Sequence, residues 1–268
     1  MKNWSRLGAV VAVVGLLALP SNVLAGHGAQ GKTSAMTVSV RILSPASGTV
    51  VRGNTLTLSA AFTHWKLSCA LAGKPNKAGV GHYHILLDGA LVNMFCSQRA
   101  SISMQNVKPG THKLTVIPAD NHHNDMMFMQ AKEMQQLSFV YRPAHAMPRL
   151  KPANLGKPSV SIISPKNGAT VSGTFPLTIR LHNFHLSSAL FGKQNVTGYG
   201  HWHANVDSTM GPMMGMATML GMSSANTFTV NTVGIKPGMH KFYALLTDNQ
   251  HAPMMKSGTE AFVTLNVK

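Results

Sequence analysis

The sequence predicts an all-β protein built from two tandem β-sandwiches of immunoglobulin-like or cupredoxin-like type. Three observations predict it. Short runs alternate polar and apolar residues with period two, no run keeps a helical or heptad period, and one set of motifs occurs twice along the 268 residues. Ile42-Leu43-Ser44-Pro45 returns as Ile162-Ile163-Ser164-Pro165, and Gly81-His82-Tyr83-His84 returns as Gly200-His201-Trp202-His203. Lys108-Pro109-Gly110-Thr111-His112 returns as Lys236-Pro237-Gly238-Met239-His240, and Asp120-Asn121-His122-His123 returns as Asp248-Asn249-Gln250-His251. The offset grows by nine residues between the His-x-His and the Lys-Pro-Gly of the second copy.

In chain order, residues 1–25 read as a secretory signal. Lys2 and Arg6 form a basic start, Leu7 to Leu19 is apolar, and Val23-Leu24-Ala25 is a small-residue cleavage site that would leave Gly26 as the first mature residue. No later stretch is long and apolar enough to span a bilayer. The expected location is therefore the periplasm or the exterior. Residues 26–36 read as a flexible lead-in; a free Gly26-His27 terminus would itself chelate Cu(II). Residues 37–141 form the first repeat, with strand patterns over 37–42, 55–59 and 112–116 separated by Ser-Gly and Pro-Gly turns. Residues 142–158, with Pro143, Pro148 and Pro152, read as a basic, semi-stiff linker. Residues 159–268 form the second repeat, with strand patterns over 160–163, 175–181 and 262–267. About seven short strands per roughly 100 residues is sandwich density.

The chain has 23 Lys and Arg against 7 Asp and Glu. The basic residues are scattered, which with export argues against a nucleic-acid partner. The scarcity of carboxylates suits an acidic medium, where native carboxylate pairs are lost by protonation. Cys69 and Cys96 are the only cysteines. In an oxidising compartment they are read as a disulfide, with free thiols or a thiolate metal site as the alternatives.

Fourteen His and 18 Met direct attention to metals. Residues two apart on a strand share a face, so His82 and His84, and likewise His201 and His203, point the same way while Tyr83 and Trp202 point into the core. His123 and His251 are the natural third ligands, each followed by a methionine pair, Met126-Met127 and Met254-Met255. Asp88, Asp207, Asp120 and Asp248 recur between copies and are read either as carboxylates that orient the imidazoles or as turn formers. His112 and His240 stand where sandwiches of this kind carry a corner tyrosine and are read as supporting residues.

Met210, Met213, Met214, Met216, Met219 and Met222 crowd an insert at 209–222 interrupted by glycines and Pro212. This insert is expected to be a mobile, solvent-reaching loop beside the second His cluster. Thioethers select Cu(I), and a Met-rich surface for protein contact is the alternative.

The Gly-His-x-His-x-x-x-Asp, Lys-Pro-Gly-x-His and Asp-Asn-x-His series resembles that of secreted bacterial immunoglobulin-like or cupredoxin-like domains without an assigned activity. The resemblance implies the fold and a periplasmic setting. Where such domains have Pro after the last His, His251-Ala252-Pro253 comes close and His123-Asn124-Asp125 departs. The Met insert is similar in composition to segments of periplasmic copper-resistance proteins. Neither copy has a Cys near its late His and Met, which excludes a blue-copper site. The function expected is metal binding without catalysis, copper first and zinc second, for sequestration or delivery to another periplasmic metal-handling protein. A metal-free structural pair of sandwiches and a three-histidine zinc enzyme are the alternatives. No P-loop, dinucleotide fingerprint, nucleophile elbow or His-Glu-x-x-His is present.

Overall fold

The computed structural model describes residues 37–125, 134–210, 216–254 and 256–268. The signal segment, the lead-in, Met126, Met127, Met213, Met214 and Met255 lie outside the described residues. Strand alternation dominates as expected: the described residues form 18 strands and two 3-10 turns, with no α-helix among them.

The first nine strands are β1 (Ser39–Ser44), β2 (Val50–Val51), β3 (Thr55–Thr63), β4 (Lys66–Leu67), β5 (Val80–Leu87), β6 (Ala90–Phe95), β7 (Arg99–Ser103), β8 (Gly110–Ala119) and β9 (Gln135–Tyr141). One sheet runs β1-β3-β7; the other runs β2-β9-β8-β5-β4, with β6 also pairing β5. Leu56, Leu58 and Ile102 from the first sheet meet Tyr83, Ile85, Leu114 and Phe139 from the second in one core. The next nine repeat the plan: β10 (Ser159–Ser164), β11 (Thr170–Val171), β12 (Thr174–His182), β13 (His185–Leu186), β14 (Tyr199–Val206), β15 (Met219–Ser223), β16 (Thr227–Asn231), β17 (Gly238–Thr247) and β18 (Glu260–Val267). Their sheets run β10-β12-β16 and β11-β18-β17-β14-β13, with β15 also pairing β14. Leu177, Ile179, Trp202, Phe242 and Leu265 fill the second core.

Segment 142–158 is bonded to both sandwiches and is not a free spacer. Gln105 and Asn106 donate side-chain amide hydrogens to the carbonyls of Pro148 and Leu150, and the Ala153 N–H donates to Thr197 O. Both sandwiches fall within one compact unit.

Cys69 and Cys96 are disulfide-bonded, with a Cα separation of 5.5 Å. The bond is consistent with an extracellular or periplasmic protein, and among the described residues no helix is long and apolar enough to cross a membrane. Closing a loop with a sequence separation of 27 stabilises by about 3.5 kcal/mol in the chain-entropy account. Replacing both cysteines by serine is therefore expected to lower stability by about 2–4 kcal/mol, measured by urea unfolding.

Candidate metal centre

The central strand of each second sheet carries the site. Along β5, Tyr83, Ile85 and Leu87 enter the first core, and His82 and His84 project from the opposite face. Along β14, Trp202 and Ala204 enter the second core and leave His201 and His203 opposite. The glycine before each His-x-His is required by close approach. A Cβ on Gly81 would lie 2.3 Å from Ala119 O and from Trp65 Cζ2, and one on Gly200 would lie 2.1 Å from Thr247 O and 2.6 Å from Phe184 Cζ.

The third histidine of each set is delivered by a tight loop after β8 or β17. Asp120 Oδ1 accepts the backbone N–H groups of His122 and Asn124, and the His123 N–H donates to Asp120 O. Asp248 Oδ1 likewise accepts from Gln250 and Ala252, and the His251 N–H donates to Asp248 O. These bonds hold His123 and His251 at φ 63° and 66°, a left-handed conformation uncommon outside glycine that histidine enters more readily than most side chains. Asp120 and Asp248 are thus loop formers that aim a histidine through the backbone.

The expected clusters form. His82, His84 and His123 each offer a nitrogen within 4.8 Å of the others, and so do His201, His203 and His251, so each set can hold a metal ion. All six are buried. In both sets the Nε2 atoms of the strand pair, His82 with His84 and His201 with His203, lie 3.1 Å apart. Two nitrogens bound to one ion at about 2.05 Å stand about 2.9 Å apart at a right angle and about 3.3 Å apart at the tetrahedral angle. The observed spacing falls between them.

The third imidazole has a fixed tautomer. His123 Nε2 donates to Met219 O at 2.8 Å, and His251 Nε2 donates to Leu91 O at 2.9 Å. Each Nδ1 is left as a buried lone pair without a protein partner. Metal-ligating histidines characteristically spend one ring N–H on a carbonyl in this way. The two carbonyls come from the opposite repeat, so each sandwich orients the third ligand of the other. Gly73 and Gly192 make this contact close, since a Cβ on Gly73 would lie 2.6 Å from Met219 C and O, and one on Gly192 would lie 2.4 Å from Leu91 O.

Burial first, and neighbouring imidazoles second, push His82, His201 and His203 well below the usual histidine range. Burial also lowers His123 to about 3 and His251 to about 4, against opposing hydrogen bonds to backbone carbonyls. His203 feels the charge of His251 and then of His123 in the other repeat, while His251 feels that of His84. Both sets lie at the repeat contact, where His123 and His251 each bond a carbonyl of the other repeat.

A histidine that titrates near 6.5 when unfolded and lower when folded binds its proton only on unfolding between those values. The metal-free protein should therefore be most stable above about pH 6.5 and lose stability as pH falls towards 4. Urea midpoints across that range check this; a flat profile would contradict neutral, buried imidazoles. The histidines thus oppose the acid tolerance suggested by the scarcity of carboxylates.

The two sets differ in their surroundings: the Phe191 ring packs on His201 and His251 where the first repeat has Ala72, and a carboxylate joins only the first set. Asp125 Oδ1 accepts from His84 Nδ1 at 2.7 Å, which leaves His84 Nε2 free to ligate. Pro253 stands at the equivalent place in the second repeat. Asp125→Asn is expected to weaken metal binding at the first set by about 10–100-fold and leave the second unchanged, read by metal competition titration. Asp125 has no counterpart in the repeat pattern, and only its two-residue spacing from His123 pointed to it.

Several sequence expectations are corrected. Asp88 and Asp207 do not touch the triads. They accept from His112 Nδ1 and His240 Nδ1, each at 2.7 Å, and from the backbone of Lys113 and Lys241. The Nε2 atoms of His112 and His240 face Lys108 O and Lys236 O, so these histidines are corner supports away from the triads. Met254 packs against the second core. The Met insert is not a loop throughout. Met219 is fully buried and Met222 half-buried in β15, which pairs β14 with Met222 opposite His203, while Met216 lies in a 3-10 turn packed with them. Of the described insert methionines, Met210 is the exposed one, at 72%.

No family model matches the chain, and no curated protein does. Among solved structures it is similar to fibronectin(III)-like modules of Clostridium thermocellum CbhA, at 13% identity over 85% of this chain and 94% of that one, with a TM-score of 0.27. It is also similar to dimeric latent PorU of Porphyromonas gingivalis, at 12% identity over 89% of this chain and 21% of that one, with a TM-score of 0.28. Likeness at this level carries no functional argument.

Proposed function

We propose that this is an exported, periplasmic metal-binding protein that holds one ion in each repeat, copper by preference, for sequestration or for delivery to another metal-handling protein. The observation that carries the reading is the buried, unpartnered Nδ1 lone pair of His123 and of His251, each in a set whose strand histidines hold their Nε2 atoms 3.1 Å apart. A metal-free polar network would leave these acceptors unsatisfied, at about 1–3 kcal/mol each, whereas the Nδ1 atoms of His82 and His201 are buried without a partner whether or not an ion is bound. Methionines opposite His84 and His203 across the strand pairs favour copper over zinc. Burial of all six imidazoles favours storage over catalysis, since a zinc hydrolase keeps a ligand position open to water and substrate.

Titration of the mature chain with Cu(II), Cu(I) and Zn(II), followed by elemental analysis, tests the proposal. Two tightly held copper ions per chain are expected, displacing zinc. Failure to retain any of these ions after desalting would refute it.

A further inference from the structure

The donor set is larger than three histidines. Each triad has a thioether beside it, one from the Met-rich run and one from outside it. On β6, Met94 is the direct cross-strand partner of His84; on β15, Met222 is that of His203. Directly opposed residues of an antiparallel pair project from the same face. The next pair along confirms which face this is in the first repeat, because Tyr83 and Phe95 are also opposed and their rings stack at 5.6 Å within the core. Met94 therefore shares the histidine face. In the second repeat Trp202 enters the core and leaves Met222 with His203.

Met94 and Met222 also pack in one small cluster with Met219, Met216 and Ala72, so their place beside the triads has to be weighed against packing. Met94 and Met222 occupy equivalent places in the two repeats. Three residues earlier on the same strands, the first repeat has Leu91 where the second has Met219, so this row accepts leucine as filler. Beside the triads both repeats have methionine. Both thioethers also line a single cavity of roughly 390 Å³ between the repeats, which the histidines do not reach. Met94 and Met222 thus both border the cavity, and each stands opposite a triad histidine across its strand pair.

We propose that Met94 and Met222 each complete a three-imidazole, one-thioether site for copper. This rests on the triads being metal sites. Three imidazoles suit Cu(II) or Zn(II), and the added soft sulfur extends the preference to Cu(I). A thioether carries no proton, so its bond to Cu(I) survives mild acid that protonates free imidazoles.

The test compares the unaltered protein with Met94→Leu, Met222→Leu and the double variant, which keep apolar volume. Met210→Leu serves as an exposed control. The unaltered protein loaded with Cu(I) should show sulfur in its X-ray absorption shell, and the double variant should not. Each single variant should weaken Cu(I) at one site by about tenfold or more while Zn(II) affinity stays within about threefold. Sulfur scattering retained in the double variant, or Cu(I) affinity unchanged, overturns the thioether assignment and leaves the triads standing. Equal loss of Cu(I) and Zn(II) would mark the methionines as packing residues and also overturns it. No uptake of either ion by the unaltered protein overturns the triads and this assignment together.

Discussion

Replacing Gly73 or Gly192 by alanine should cost about 3 kcal/mol of stability and loosen a metal site in each case. A Cβ at Gly73 or Gly192 would stand 2.6 Å or 2.4 Å from backbone of the opposite repeat, and both glycines have positive φ, at 71° and 67°. Contacts that short force a shift of main chain, and an L side chain at that φ adds strain. The shift would fall on Met219 or Leu91, whose carbonyls accept from His123 and His251. Gly73→Ala should therefore weaken the first site and Gly192→Ala the second, although neither residue is near a ligand in sequence. Urea unfolding and metal competition together check this. Undiminished stability in both variants would mean that the repeats do not meet as described.

The second large effect concerns the ligands. His84→Ala and His203→Ala should each remove one bound ion per chain, with affinity at the altered site reduced by about a hundredfold or more. Alanine deletes one nitrogen of the 3.1 Å pair, and the other two imidazoles of that set then hold at most a weak, two-coordinate ion. The untouched set should keep its ion. The fold should survive, because the histidines project away from the two sandwich cores.

The triads were legible because the chain repeats itself. Period-two spacing puts His82 with His84 and His201 with His203, and the recurrence of His123 as His251 selects the third ligand from fourteen histidines. What stayed hidden has physical causes. The carbonyls of Leu91 and Met219 orient ligands through backbone, which no residue identity advertises. Asp125 works in one repeat only, so an argument from recurrence passes over it. Asp120 and Asp248 act through loop shape rather than through contact with a ring. The strand that carries Met219 and Met222 was hidden by composition, because a glycine-broken methionine run has no strand period although β15 pairs β14. Met94 lies outside that run; the nine-residue offset aligns it with Met222, but without the strand register it reads as one more core methionine.

The central claim is that each repeat closes three buried imidazoles on one ion. Anomalous diffraction from crystals of the copper-loaded protein, recorded on both sides of the copper edge, tests it most directly. The account predicts two peaks per chain, one about 2 Å from His82 Nε2, His84 Nε2 and His123 Nδ1, the other placed likewise at His201, His203 and His251. Copper found only at the surface, with both triads lacking anomalous signal, would contradict it.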